Sequence, residues 1–99
     1  MTIAEVKEAD SLRLDVEGKI DTLSSQEFQN YVLKAFQRTK TLVINMENVT
    51  YVSSAGLRAL ILGQKTALSK GGSLCVINVP TVVQDVFRVT GFDKVLNIR

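Results

Sequence analysis

The chain is poor in the residues on which most familiar active sites depend. Its 99 residues include no histidine, no tryptophan, one cysteine and one proline. A Ser-His-Asp triad, a Cys-His pair and a zinc site with Cys/His spacing are therefore excluded. Cys75 has no partner for an internal disulfide, and because it lies in the alternating run 73–79 we expect it to be an inert core residue.

Charge and apolar runs exclude two further classes of protein. Twelve Lys and Arg against ten Asp and Glu give a formal net charge of +2, without a block of like charges. With only 6% aromatic residues, this balance gives no sign of direct nucleic-acid binding. The apolar runs fall far short of the roughly 20 residues that cross a bilayer, and no secretory apolar run opens the chain. We therefore expect a cytoplasmic protein with no membrane insertion.

The hydrophobic residues that are present predict one domain, residues 1–99, with one core, since they make up 45% of the chain. Alternating polar and apolar residues predict strands at 2–7 and 12–17, joined by a hairpin turn at 8–11. The nearly continuous apolar run 41–46 predicts a strand in the middle of the sheet. Two further strands are predicted at 73–78 and 95–98.

Three segments with helical spacing fall between these strands. The first begins at Ser24, whose spacing from Glu27 predicts a capping box. The second spans about 57–70, and on a helical wheel its core side holds Leu57, Leu60, Ile61, Ala67 and Leu68. The third runs from Pro80 to Gly91 through the apolar residues Val82, Val83, Val86, Phe87 and Val89. The order ββαβαβαβ predicts an α/β domain with a mixed, mostly parallel sheet and helices packed on it.

Two serines, Ser53 and Ser54, lie at the start of the second helix, after a strand and a loop. The first turn of a helix has unpaired N–H groups and a partial positive charge, so a phosphate is well tolerated there. The simpler alternative is that one of the two serines only caps the helix, a role worth about 1 kcal/mol. Ala55 and Gly56 follow and add no bulk that would obstruct another protein.

The other side of the second helix carries Arg58, Leu62 and Lys65, together with Ser69. An exposed leucine between two cations indicates a docking face for an acidic, partly apolar partner. The alternative is an ordinary solvated helix surface.

The chain resembles the STAS domain family, specifically its small stand-alone anti-sigma factor antagonists. The resemblance spans the opening hairpin, Gly-Lys-Ile-Asp at 18–21, the serine segment 49–57 and Val-Thr-Gly-Phe at 89–92. Family members usually carry Asp-Ser-Ser-Gly or a close variant in the serine segment. Aligning Gly56 with the family glycine puts Ser54 at the phosphorylated position, with Ser53 in place of the usual Asp and Ala55 in place of the second serine. Ser53 remains the alternative phosphorylated hydroxyl.

This resemblance implies a partner-switching regulator. The unphosphorylated chain would bind an anti-sigma factor that is also a serine kinase and thereby free a sigma factor, and phosphorylation of Ser54 would end the contact. A serine phosphatase would reverse the modification. The chain itself would catalyse nothing and would need no metal or other cofactor. The expected contact set is Asp21, Ser53, Ser54, Ala55, Gly56, Arg58, Leu62 and Lys65.

Other hypotheses remain open at this point. Because Ser53 replaces an Asp, the chain can also be a non-switching accessory subunit, as in STAS-like proteins that support the ATPase of a membrane transporter. Nucleotide binding, which some relatives are suspected of, is less favoured because neither a phosphate-binding loop nor a Gly-x-Gly-x-x-Gly fingerprint is present. The alternative role for Asp21 is capping or loop hydrogen bonding.

Overall fold

The order of strands and helices follows the hydrophobic pattern of the chain. A computed structural model describes all 99 residues and confirms the order ββαβαβαβ. The elements are β1 (Thr2–Lys7), β2 (Leu12–Ile20), α1 (Ser25–Ala35), β3 (Thr41–Val52), α2 (Ser54–Ser69), β4 (Ser73–Ile77), α3 (Thr81–Thr90) and β5 (Asn97–Ile98). A 3-10 turn, Phe92–Lys94, precedes the last strand. No helix is both long and apolar enough to span a membrane.

The five strands form one mixed sheet in the order β1-β2-β3-β4-β5. β1 is antiparallel to β2, and the remaining neighbours are parallel, so β3 occupies the middle as predicted. Side chains on one face form buried rows across the sheet, of which Leu14, Ile44 and Val76 are an example. Buried residues of all three helices join the same hydrophobic cluster, so the helices cover this face.

The face of the sheet that carries no helix contains a half-buried polar cluster. Arg13 and Asp15 of β2 form a salt bridge with a separation of 2.9 Å, and the Asn45 amide donates to Asp15 at 3.0 Å. Cys75 lies in the cross-strand row of Arg13 and Val43 on this face and is buried, as predicted. Burial raises the pKa of its thiol.

Two strands extend further than the alternation predicts. β2 continues through the segment 18–20, beyond its predicted end at residue 17, and β3 continues from its predicted end at Met46 to Val52. The register of the β2–β3 pair shifts between Asp15 and Glu17 and again at Gly18, where φ is +97°. These irregularities interrupt the alternation of buried and exposed side chains along the strands. The ends of both strands therefore cannot be predicted from alternation in the sequence.

Some details of the helices also differ from the sequence prediction. The prediction of a capping box formed by Ser24 and Glu27 is wrong, because Ser24 makes no side-chain capping bond to α1. Leu68 is 66% exposed and not on the core side of α2. In α3, Val83 and Phe87 are buried, whereas Val82 and Val89 are exposed. The last strand is two residues long because the 3-10 turn occupies the chain before it.

Candidate functional site

Ser53 is the residue that caps α2. Its backbone is extended, with φ −79° and ψ 171°, and its hydroxyl oxygen accepts a hydrogen bond from the Gly56 amide at 3.1 Å. The residue is only 6% exposed. Of the two roles left open for this pair of serines, capping therefore belongs to Ser53.

Ser54 occupies the first position of α2 and is exposed to solvent. The first turn of this helix contains no acidic side chain. The unpaired N–H groups and the positive end of the helix dipole are thus uncompensated by a carboxylate of the same turn. A negative group attached to the Ser54 hydroxyl would meet a favourable electrostatic environment within the domain.

Gly56 brings the first turn of α2 against the end of β2. A Cβ atom at this position would lie 2.8 Å from Ile20 Cγ2, 3.0 Å from the Ile20 carbonyl oxygen and 3.0 Å from Val52 Cγ1. The Ser53 amide also donates to the Ile20 carbonyl at 2.8 Å. The absence of a side chain at Gly56 therefore serves internal packing, and this residue is buried.

The turn between β2 and α1 lies at the same end of the sheet and is held by Asp21. Asp21 Oδ1 accepts hydrogen bonds from the amides of Leu23 at 3.0 Å and Ser24 at 2.9 Å. The Ser24 hydroxyl in turn accepts from the Asp21 amide at 2.9 Å and lies 2.8 Å from the Lys19 carbonyl oxygen. The bond from the Ser24 amide is the main cause that holds the pKa of Asp21 below its ordinary value. Asp21 thus organises the turn, and it is half-exposed beside the serine segment.

The outward side of α2 carries the predicted polar and apolar residues. Arg58 and Lys65 are exposed, and Leu62 between them is 38% exposed. Neither cation belongs to a salt bridge within the domain. Together with the helix N-terminus, they make this side of the site electropositive.

The structure gathers most of the predicted contact set at one end of the sheet. The residues that reach the surface there or along α2 are Asp21, Ser54, Ala55, Arg58, Leu62 and Lys65. Ser53 and Gly56, which belong to the same predicted set, are buried. Their effect on a partner would therefore be indirect, through the position of Ser54.

Two exposed apolar residues at this end were absent from the sequence prediction. Leu23 is 91% exposed in the Asp21 turn, and Tyr51 is 49% exposed near the end of β3. A signal for Leu23 was available, because it stands outside the three- and four-residue spacing of the buried positions of α1. Tyr51 gave no comparable signal, since its outward direction depends on the irregular register of the β2–β3 pair. No group of three His, Cys, Asp or Glu side chains that could hold a metal ion is present.

Comparison with known proteins identifies similar chains over nearly the full length. Residues 3–97 match the family model described as "Mlab, STAS domain". A STAS-domain containing protein of Pseudomonas aeruginosa (strain UCBPP-PA14) is 22% identical over 100 residues, which cover 99% of this chain and 99% of the relative.

Solved structures of two similar proteins share the fold. An anti-sigma factor antagonist of Mycobacterium paratuberculosis has a TM-score of 0.86 at 20% identity, covering 98% of this chain and 83% of that one. The anti-sigma factor antagonist SpoIIAA in its unphosphorylated form has a TM-score of 0.83 at 14% identity, covering 99% and 88%. The phosphorylated form of SpoIIAA, a Bacillus cell fate determinant, has a TM-score of 0.75 at 15% identity, covering 99% and 91%.

Proposed function

The chain belongs to the STAS domain family, and from this membership and the geometry of its serine turn we propose that it is a cytoplasmic anti-sigma factor antagonist switched by phosphorylation of Ser54. The unphosphorylated form binds an anti-sigma factor that is also a serine kinase and so releases a sigma factor. The observation that carries the proposal is the division between Ser53, buried as the helix cap, and Ser54, exposed beside it. The similarity in fold to anti-sigma factor antagonists supports it.

The proposed switch acts on the contact surface and not on the fold of the domain. A phosphate on Ser54 adds about −1.5 to −2 charges at pH 7. The N-terminus of α2 and the nearby Arg58 tolerate this charge, so α2 stays intact. When a partner closes over the same point, the dianion must lose water and repels acidic groups of the partner, which weakens the complex. A serine phosphatase restores the binding form, and the chain itself catalyses no step.

The first experiment tests the switch with charge placed at two serines. Wild type, Ser54→Asp and Ser73→Asp are used to capture partners from the native cytosol, and the intact mass of the chain isolated from its own cells is measured. Ser73 is exposed at the start of β4, at the end of the sheet opposite Ser54, so it controls for added charge away from the site. We expect wild type and Ser73→Asp to capture a serine-kinase anti-sigma factor, Ser54→Asp to capture at least tenfold less of it, and a fraction of the native chain to carry one phosphate.

A different result would overturn the switch. If Ser54→Asp binds the kinase as tightly as wild type, charge at Ser54 does not control the contact.

A second candidate function is a non-switching accessory subunit of a membrane transporter ATPase. It is favoured by one observation: Ser53 is buried and committed to the helix cap at the position where the family usually has an Asp, so a carboxylate is missing next to Ser54. This candidate predicts that wild type and Ser54→Asp capture a transporter ATPase equally and that the native chain carries no phosphate on Ser53 or Ser54.

A further inference from the structure

One side of α3 carries a largely exposed stripe of apolar residues. Val82, Val86 and Val89 have the i, i+4, i+7 spacing of a single helix face, and we call them the valine stripe. Val82 is 58% exposed, Val89 is 82% exposed, and Val86 between them is half-buried. The fully buried residues of the helix are a separate pair, Val83 and Phe87. Val82 and Val89 are therefore not needed for the core, and a partner can cover them.

A depression at the start of α3 extends the valine stripe onto the sheet. β3 pairs with β4 only over residues 41–45, although β3 continues to residue 52. The chain leaves β4 at Asn78, whose φ of +54° lies in the left-handed region, and then enters α3. The outer part of β3 consequently has no strand on that side. The depression there is lined by residues of β2 and β3, by Pro80 and by Val82.

Two carboxylates border this depression. Glu17 and Glu47 are exposed, and they are the only charged residues that line it. Neither belongs to a salt bridge within the domain. Lys19, the next cation along β2, lines neither this depression nor the hollow over the rest of the valine stripe. Two free charges of one sign beside an apolar surface favour cationic groups of a partner.

The charges along α3 follow the same pattern. Asp85 is the only charged residue that lines the shallow hollow over Val86 and Val89. Arg88 lies outside this hollow, and its guanidinium donates to Asp85 at 2.7 Å. This bond offsets part of the Asp85 charge but adds no cation to the hollow. The valine stripe is thus bordered by carboxylates along its whole length.

A second copy of the chain is a poor fit to this surface. In a two-fold interface the same patch lies on both subunits. Two copies that meet through their valine stripes would bring their acidic borders together, and like charges across an interface reduce affinity. A partner that carries lysine or arginine among apolar residues has no such cost, because its cations pair with the free carboxylates.

We infer that the valine stripe and the carboxylates Glu17 and Glu47 form a docking surface for a basic amphipathic segment of another protein. Apolar side chains of that segment cover the valine stripe, and its Lys or Arg side chains reach the two carboxylates. None of these residues belongs to the predicted contact set around Ser54. The surface therefore gives the domain a second interface, and the inference does not depend on the proposed function.

The first test measures binding of a synthetic peptide of about four helical turns, with leucine on one face and lysine on the other. A second peptide has glutamate in place of every lysine. Both are titrated into the isotope-labelled chain, and Kd and the amide chemical shifts are measured by nuclear magnetic resonance. The variants are Val89→Ser and Glu47→Lys. Their matched controls are Leu23→Ser and Asp10→Lys, two exposed residues that line neither the depression nor the hollow.

We expect the lysine peptide to bind and to shift amides along 47–50 and 80–90, and the glutamate peptide not to bind. Val89→Ser should raise Kd about tenfold, because it removes an apolar side chain that the peptide buries. Glu47→Lys should raise Kd at least fivefold, and both controls should bind within about twofold of wild type. If the lysine peptide does not bind, or if Val89→Ser and Glu47→Lys bind it like their controls, the docking surface is overturned.

The second test identifies the occupant in the cell. A photo-crosslinking amino acid replaces Val89 in the full chain in its own cells, and the same group at Asp10 is the control. The crosslinked peptides are sequenced by mass spectrometry. We expect Val89, and not Asp10, to crosslink to a segment of another protein in which lysine or arginine alternates with apolar residues at helical spacing. A crosslink to a second copy of the chain or to an acidic segment, or no crosslink from Val89, would contradict the inference.

Discussion

Ser53 and Ser54 are neighbours with the same side chain, yet the backbone gives them different roles. The extended conformation of Ser53 turns its hydroxyl towards the Gly56 amide, whereas Ser54 is already helical and exposed. An N-cap needs this one residue of non-helical backbone, so only one of two adjacent serines can fill it.

Alanine substitutions at the two serines should therefore have different effects on the free energy of unfolding. We expect Ser53→Ala to lower the free energy of unfolding by about 1 kcal/mol, because it leaves the Gly56 amide without its partner. Ser54→Ala, an exposed change, should stay within about 0.5 kcal/mol of wild type. Urea denaturation followed by circular dichroism measures both. A larger loss for Ser54→Ala than for Ser53→Ala would contradict this assignment of the cap.

The sequence identified the serine pair but did not show which of the two serines caps α2. Which serine caps α2 depends on where β3 ends, and that point is determined by the bond from the Ser53 amide to the Ile20 carbonyl. A long-range contact of this kind leaves no local pattern. The misplacement of Leu68 has a different cause. The buried side of α2 includes the small residues Gly56, Gly63 and Ala67, to which a helical wheel based on large apolar side chains gives little weight. Ala67 is fully buried in the last turn, and Leu68, the next residue around the helix, is exposed.

At the scale of elements, the edge strand β1 is fastened to the end of α1 by a bidentate ion pair. The Arg38 guanidinium donates to the two carboxylate oxygens of Glu5 at 3.0 and 2.5 Å. These bonds are the main cause that lowers the pKa of Glu5 from its ordinary value of 4.5 to about 2. The pair connects a strand with only one neighbour to the helical layer.

This pair should give the stability of the domain a dependence on acid pH. A carboxylate with a lowered pKa in the folded state stabilises the fold above its unfolded pKa, and this contribution is lost as the pH falls through the folded value. We therefore expect the difference in melting temperature between wild type and Glu5→Gln to be constant above about pH 5 and to shrink between pH 4.5 and about 2. Because the pair is solvent-exposed, 1 M salt should reduce the difference. A difference that does not change with pH would show that the ion pair is not its source.

The elements themselves were largely predictable, but their ends were not. Apolar runs, alternation and helical spacing identified the five strands and three α-helices, because most of these elements bury apolar residues on at least one side. The start of α1 was also predicted near Ser24, although Ser24 makes no side-chain capping bond and the side-chain bonds of Asp21 lie in the turn before the helix. Asp21 and Ser24 are both residue types that bind backbone amides, and only the turn that joins β2 to α1 decides between them.

At the scale of the whole molecule, one hydrophobic cluster unites all three helices with the sheet. Phe28 of α1 and Phe87 of α3 are fully buried and belong to this cluster. The face of the sheet without helices contributes no comparable second core. A domain with one continuous core usually unfolds in one cooperative transition.

We expect Phe28→Ala and Phe87→Ala each to lower the free energy of unfolding by about 3–5 kcal/mol and to shift the same single transition. Val89→Ala, at an exposed position of α3, should have little effect. Far-ultraviolet circular dichroism and the near-ultraviolet signal of tyrosine can be followed together during denaturation. Separate transitions by the two signals would contradict a single cooperative core.

The contact between the Ile20 carbonyl and the Ser53 amide has a consequence for the cell. The surface around Ser54 is assembled from two stretches of chain that meet only after folding, so a peptide copied from either stretch lacks half of it. A kinase that binds this surface would therefore bind folded copies of the protein and not nascent or misfolded ones. Under the proposed function, the supply of free sigma factor would then follow the amount of correctly folded antagonist and not the amount synthesised.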